Sequence, residues 1–161
     1  MRNKILLSLG LLISHAGIGF VGFALGIYAL PILIAPESPD NLEMMQKITH
    51  TEFIGEFQRD LQDSDFLHWG EGKLRVGDGF VAFEGELAPG PDYKLYLSPQ
   101  FVETEADFNR LKSEMVRVGD VHTFDRFILP LQKNISLDNY NTAIVWCETF
   151  GQFISAAQFK P

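Results

Sequence analysis

The sequence predicts a mainly β protein: an antiparallel β-sandwich or barrel-like domain with one short helix, preceded by a single N-terminal transmembrane helix. Three observations carry that reading. No residue from Ile5 to Ala35 is formally charged, and about 20 apolar residues suffice to cross the hydrocarbon core of a bilayer. Beyond residue 52, short apolar pieces of strand length alternate with Gly, Asp and Pro turn signals, the pattern of an antiparallel sandwich or barrel. Last, Ala143 to Cys147 is an unbroken apolar run between polar flanks at Asn141-Thr142 and Glu148-Thr149, as in a strand buried on both faces.

The chain divides into an N-terminal signal-anchor helix (1–35), a linker (36–52) and a β domain (53–161). Charge separates the parts. Of 13 basic residues only Arg2 and Lys4 precede residue 36, which leaves 11 against all 21 acidic ones, a formal charge of −10 for the remainder. So acidic a domain is a poor partner for nucleic acid, whose phosphates need clustered Lys and Arg. Nor is it suited to lie flat on an anionic membrane. The apolar stretch exceeds the 7–15 residues usual for a cleaved signal, and no compact small-x-small site follows it, so a retained anchor is expected. Arg2 and Lys4 place its N-terminus in the cytoplasm and the β domain across the membrane, periplasmic or extracellular. Pro31 is expected to end or kink the helix near the far interface, with Tyr28 as an anchor there. Gly22 and Gly26, one turn apart with Gly19 on a similar face, make a candidate homodimer contact. His15 is read as tolerated within the span rather than as a ligand.

Ala35 to Asp40 reads as a proline-punctuated spacer. Asn41 to Ile48 suits one or two helical turns capped by Asp40 or Asn41. Strands are expected at Phe53–Phe57, His68–Val76, Gly79–Leu87 and Tyr93–Leu97, with a tight hairpin at Gly77-Asp78-Gly79. Pro89-Gly90-Pro91-Asp92 is the strongest turn, and Asp92 is expected to fold its carboxylate back onto the backbone. In the strand after it, Tyr93, Leu95 and Leu97 share one face, Lys94 and Tyr96 the other. Asp107–Met115 is the short helix, with Phe108, Leu111 and Met115 on one side. Strand character returns at Val116–Val121 and Thr123–Leu129, and Pro130 closes it. In the central run, alternation turns Ala143, Val145 and Cys147 one way, and Ile144 and Trp146 the other.

Cys147 is the only cysteine, and it stands directly after a tryptophan. It therefore has no partner for an internal disulfide. An inert core thiol, an intermolecular bridge, and a ligand or redox nucleophile remain open. A thiol reacts as thiolate, which needs a cation, a helix N-terminus or a metal beside it; Ile144, Val145 and Glu148 supply none. Candidate companion ligands are His68, beside Trp69 and flexible glycines, His122, and His50 with Glu52. No Cys-x-x-Cys-His motif marks a covalent haem, and no His-x-x-x-His or Cys-x-x-Cys spacing marks a zinc site. A haem or other metal group is thus indicated by no motif. Ser98 and Ser155 lack a placed base for a hydrolase triad. The carboxylates are scattered among basic neighbours rather than paired for glycosidase chemistry. Gly77-x-Gly79 lacks the strand–glycine–helix context of a phosphate loop. Asn134-Ile135-Ser136 is a formal glycosylation sequon.

Four pieces in order resemble the DM13 domain: His68-Trp69-Gly70-Glu71-Gly72, Gly90-Pro91-Asp92-Tyr93-Lys94-Leu95-Tyr96-Leu97-Ser98, Phe127-Ile128-Leu129-Pro130, and Tyr140 through Ala157 with Trp146-Cys147. The likeness covers about residues 53 to 160. It implies an extracytoplasmic β-rich module, often tethered by one membrane helix, with a redox or electron-transfer role built on the family's cysteine, here Cys147. It also implies an extracytoplasmic redox protein as partner. Because His68 opens the first of the four pieces, the likeness puts His68 first among the companion ligands and His122 second. The chain departs from the family pattern in its helical segment after Ser98 and in His122-Thr123-Phe124-Asp125, neither of which touches Cys147. The other reading is a non-catalytic binding or scaffolding domain whose cysteine belongs to the core.

Overall fold

The structure, a computed structural model, describes residues 2–161. Helix α1 (Arg2–Leu33) carries no formal charge after Lys4 and is predominantly apolar on every side from Ile5 onward. By length and composition it is able to cross a membrane, and none of its apolar window is buried. Pro31 lies inside its last turn and the helix stops two residues later, close to where the missing N–H was expected to end it.

The chain then runs back along the domain instead of hanging free. Ser38 Oγ hydrogen-bonds Asp125. Helix α2 (Asn41–Ile48) starts at Asp40, whose carboxylate accepts the Glu43 N–H while Glu43 reaches back to the Asp40 N–H. This capping box satisfies two otherwise orphaned donors. Met44 on α2 packs with Phe80, Ala82 and Ile128 on the outer face of a sheet, and Lys47 Nζ sits 4.9 Å from the Phe80 ring centre. Residues expected as a spacer thus form a strap across the domain.

The domain is two antiparallel sheets of four strands. The first orders β1 (Thr51–Phe57), β2 (Gly70–Gly77), β3 (Phe80–Leu87) and β6 (Arg126–Pro130) as β1-β2-β3-β6. The second orders β4 (Tyr93–Ser98), β5 (Val116–Val121), β7 (Thr142–Cys147) and β8 (Gln152–Gln158) as β5-β4-β7-β8. The edges also approach one another, β1 beside β8 and β5 beside β6. Asp78 and Gly79 alone link β2 to β3, and Gly79 takes φ +79°, a left-handed turn conformation natural to glycine. The strand expected from His68 begins at Gly70; His68 and Trp69 belong to the preceding loop.

Strand β7 lies inside its sheet between β4 and β8, as the unbroken apolar run requires. Its two faces divide as alternation predicts. Ala143, Val145 and Cys147 enter the core between the sheets, with Leu74, Phe83, Tyr93, Leu95 and Ile154. Ile144 and Trp146 enter a second core on the outer face, under helix α3 (Glu105–Leu111), with Tyr96, Phe108, Leu111 and Phe153. Helix α3 starts and stops earlier than the sequence pattern predicts. Thr104 caps it, its Oγ1 accepting the Asp107 N–H, and a 3-10 turn at Lys112–Glu114 carries the chain out.

Antiparallel pairing leaves two ends to the sandwich. One carries the loops 58–69, 88–92, 122–125 and 148–151, together with the C-terminal half of α1. The Asp78-Gly79 turn and the 131–141 connection lie at the other.

Candidate functional site

Cys147 is the last residue of β7, 3% exposed, at the end of the sandwich that α1 meets. Its Sγ–H donates to the Pro91 carbonyl oxygen at 3.1 Å. The Pro89–Asp92 turn is clamped over it. Asp92 holds φ +56°, a left-handed conformation that aspartate tolerates better than most residues, and its carbonyl accepts the Glu148 N–H at 3.2 Å. The Asp92 carboxylate does not fold onto its own backbone, as the turn chemistry alone had suggested. It takes the Lys94 ammonium at 2.6 Å and the Thr149 hydroxyl at 3.0 Å. A full cation is a stronger partner than a neutral amide N–H, so Lys94 wins. Beneath the same turn the Tyr93 hydroxyl donates to the Ala88 carbonyl at 2.9 Å. Burial pushes the Tyr93 phenol well above its usual range, so it stays neutral.

Burial is also the main influence on the thiol, and it raises the Cys147 pKa. The N–H groups of Phe150 and Thr149 act the other way, while the Asp92 and Glu148 carboxylates add to the rise. At neutral pH the sulfur is therefore a protonated thiol rather than a nucleophilic thiolate.

The structure brings His68 and Cys147 to one cavity of about 510 Å³. Its walls are Phe20, Val21 and Leu25 of α1, the Pro89-Gly90-Pro91 turn and Phe150, and no Asp, Glu, Lys or Arg lines it. His68 is fixed by Asp65. The ring Nδ1 lies 3.0 Å from Asp65 Oδ2, and Asp65 Oδ1 accepts the N–H groups of Leu67 and His68 at 2.7 and 2.8 Å. Burial opposes the Asp65 charge, but these hydrogen bonds prevail and hold its carboxyl below the ordinary value. The imidazole is thus held at its Nδ1 edge by a carboxylate.

The other histidines are not part of this pair. His122 lines a neighbouring cavity of about 700 Å³ on another side of α1, with Asp92, Thr149 and Phe150. His50 lies at the opposite end of the sandwich, just before β1. Among the described residues no group of three His, Cys, Asp or Glu is arranged to hold a metal ion. The Cys147 cavity offers two ligands for iron but no cation for haem propionates, so its residues do not fit that group.

A second polar cluster escaped sequence reasoning. Glu148, next to Cys147, accepts the Tyr96 hydroxyl and takes the Lys112 ammonium at 2.9 and 3.0 Å. Lys112 Nζ also lies 5.5 Å from the Phe108 ring centre and 6.0 Å from that of Trp146. Phe108 stacks on Trp146, centroids 3.8 Å apart and planes 9° apart, and Tyr96 meets Phe108 edge-on at 5.2 Å. The signal was present in Lys112 and Glu148, but the strand crossing that unites them was not.

A family model described as "Electron transfer DM13" matches residues 60–159. Comparison with curated proteins yields no match, and comparison with solved structures yields none either.

Proposed function

The chain belongs to the DM13 electron-transfer family, and from that premise we propose a membrane-tethered redox module in which Cys147 is the group that gives up an electron. One observation carries the reading: Cys147 and His68, far apart in sequence, line the same cavity. A thiol held protonated by burial loses an electron only if its proton leaves with it. In this reading His68, on the wall of the same cavity, takes that proton and passes it on to solution past Asp65. The electron passes to a one-electron acceptor, with an extracytoplasmic redox protein as the onward partner. In this reading α1 is a retained anchor with its N-terminus in the cytoplasm, and the domain is periplasmic or extracellular. Gly22 and Gly26 of α1 are open to a helix neighbour, since a Cβ on either would meet nothing within 4 Å, which suits a homodimer through that face.

A second reading has its own observation. Cys147 is buried, neutral and already hydrogen-bonded to Pro91, as a structural thiol in a binding or scaffolding domain would be. One-electron oxidation of the full chain, followed by spin resonance, separates the two, with Cys147→Ser as control. A sulfur-centred radical that is absent in Cys147→Ser supports the redox site. No such radical, with no change of fold in Cys147→Ser, supports the structural thiol.

A further inference from the structure

We propose that the loop end of the sandwich is seated end-on in the outer interface of the bilayer, so that the Cys147–His68 cavity opens to lipid and admits only uncharged, lipid-soluble reactants. The inference rests on the reading of α1 as a retained anchor.

Helix length gives the first argument. α1 has 32 residues, about 48 Å at 1.5 Å per residue, against about 30 Å of hydrocarbon. A span beginning at Ile5, the first residue after the Lys4 charge, is complete near Ala24. Yet the cavity that contains Cys147 is walled by Phe20, Val21, Ala24 and Leu25. The loops that meet those residues therefore reach the level of the outer acyl-chain boundary.

Their side chains suit that level. Phe66 is 84% exposed, Phe150 51% and Leu67 43%, and all three lie at this end. Large apolar side chains bared together beside an apolar helix mark a surface made for a partner, and chain continuity with α1 identifies the partner as lipid. Charge agrees. Asp60, Asp63 and Asp65 share the loop with Phe66, so attraction to anionic headgroups does not drive the contact. Insertion of apolar side chains does, and a zwitterionic interface is the surface that fits. The opposite end carries Asp78, Lys133 and Asn134 and faces water. A cavity without a charged wall, opening at this depth, draws its contents from the membrane rather than from solution.

The test uses the full chain in phosphatidylcholine vesicles, with spin labels placed singly at Phe66→Cys, Phe150→Cys, Asp78→Cys and Ala16→Cys on a Cys147→Ala background. Labels at 66 and 150 should be relaxed more by oxygen than by a water-soluble nickel complex, with the ratio reversed several-fold at 78. Nickel access at 66 and 150 equal to that at 78 overturns the seating. So does shielding from both agents with spin–spin broadening, because a second copy would then cover the patch. The label at Ala16 reports on the anchor separately. If it is aqueous the anchor reading fails; if it is in lipid while 66 is aqueous, only the seating fails. A measurement without a new cysteine guards against misfolding of the background. With Cys147 kept and Trp69→Phe as background, brominated phosphatidylcholine should quench a tryptophan at Phe66→Trp more strongly than one at Asp78→Trp. Equal quenching at the two positions overturns the proposal.

Discussion

Replacing Phe108 by Ala tests whether the outer aromatic core under α3 holds β7, and with it Cys147, in place. Phe108 is fully buried, stacked on Trp146 at 3.8 Å and edge-on to Tyr96 at 5.2 Å. Truncating a buried Phe costs about 3–5 kcal/mol in transfer and cavity terms. The two aromatic contacts keep this site from the low end of that range, since such pairs add about 0.5–1.5 kcal/mol each. A loss of about 4 kcal/mol is roughly three decades in the unfolding constant. With a urea dependence of about 2 kcal/mol per molar, the midpoint should fall by about 2 M. Urea titration of the full chain in detergent micelles, followed by tryptophan emission, measures it. Phe66→Ala, at an 84% exposed site, serves as control and should move stability by no more than about 0.5 kcal/mol. Equal shifts in the two variants would refute the packing argument.

Three further outcomes follow from the geometry. Gly70→Ala should destabilise the domain by about 2 kcal/mol, because a Cβ there would sit 2.5 Å from Leu87 Cδ2 and 3.1 Å from Ser155 Cβ, where the sheets touch; the same urea titration reads it. Ser155→Ala should cost about 1–3 kcal/mol, since its buried hydroxyl serves the Gln58 and Gly70 carbonyls at 3.1 and 3.0 Å. Lys94 holds the Asp92 and Asp120 carboxyls below the ordinary 3.8, with Arg117 the larger cause at Asp120 and Thr149 assisting at Asp92. Their folded pKa values are depressed, so their stabilisation is complete above about pH 4 and is lost as pH falls through the folded values. Lys94→Met should raise both carboxyls in an NMR titration, at a cost of about 1 kcal/mol at pH 7 for these partly exposed pairs.

Much of this was legible from the sequence because it follows from local chemistry. The uncharged stretch at the N-terminus dictated a long apolar helix. The unbroken run Ala143–Cys147 dictated an interior strand, and its period of two sorted Cys147 from Trp146. Elements with mixed signals were harder. Strand β8 contains Ser155-Ala156-Ala157, small residues with little strand preference, and it is a strand because β7 pairs with it. The start of α3 was missed because its first turn is polar, though Thr104 with Asp107 three residues on was an available cap signal. The α2 strap was hidden because only Met44 of its apolar residues is buried, and its docking on Phe80 is a tertiary event. At the site, Cys147 and His68 were named from the single cysteine, from neighbouring residues and from the DM13-like pieces that hold them. Their shared cavity, the Pro91 carbonyl on the sulfur and Asp65 behind the imidazole arise where three loops converge, which no local pattern encodes.

The central claim, a protonated Cys147 that exchanges an electron, is tested most directly by voltammetry of the full chain in a supported bilayer. The expected result is a wave that disappears in Cys147→Ser and persists in Trp146→Phe. Its midpoint should fall by about 59 mV per pH unit, because one proton leaves with one electron. His68→Gln should slow the exchange while leaving the wave in place. A wave that survives in Cys147→Ser, or an unsubstituted protein with no wave at all, would contradict the account and leave Cys147 as a residue of the core.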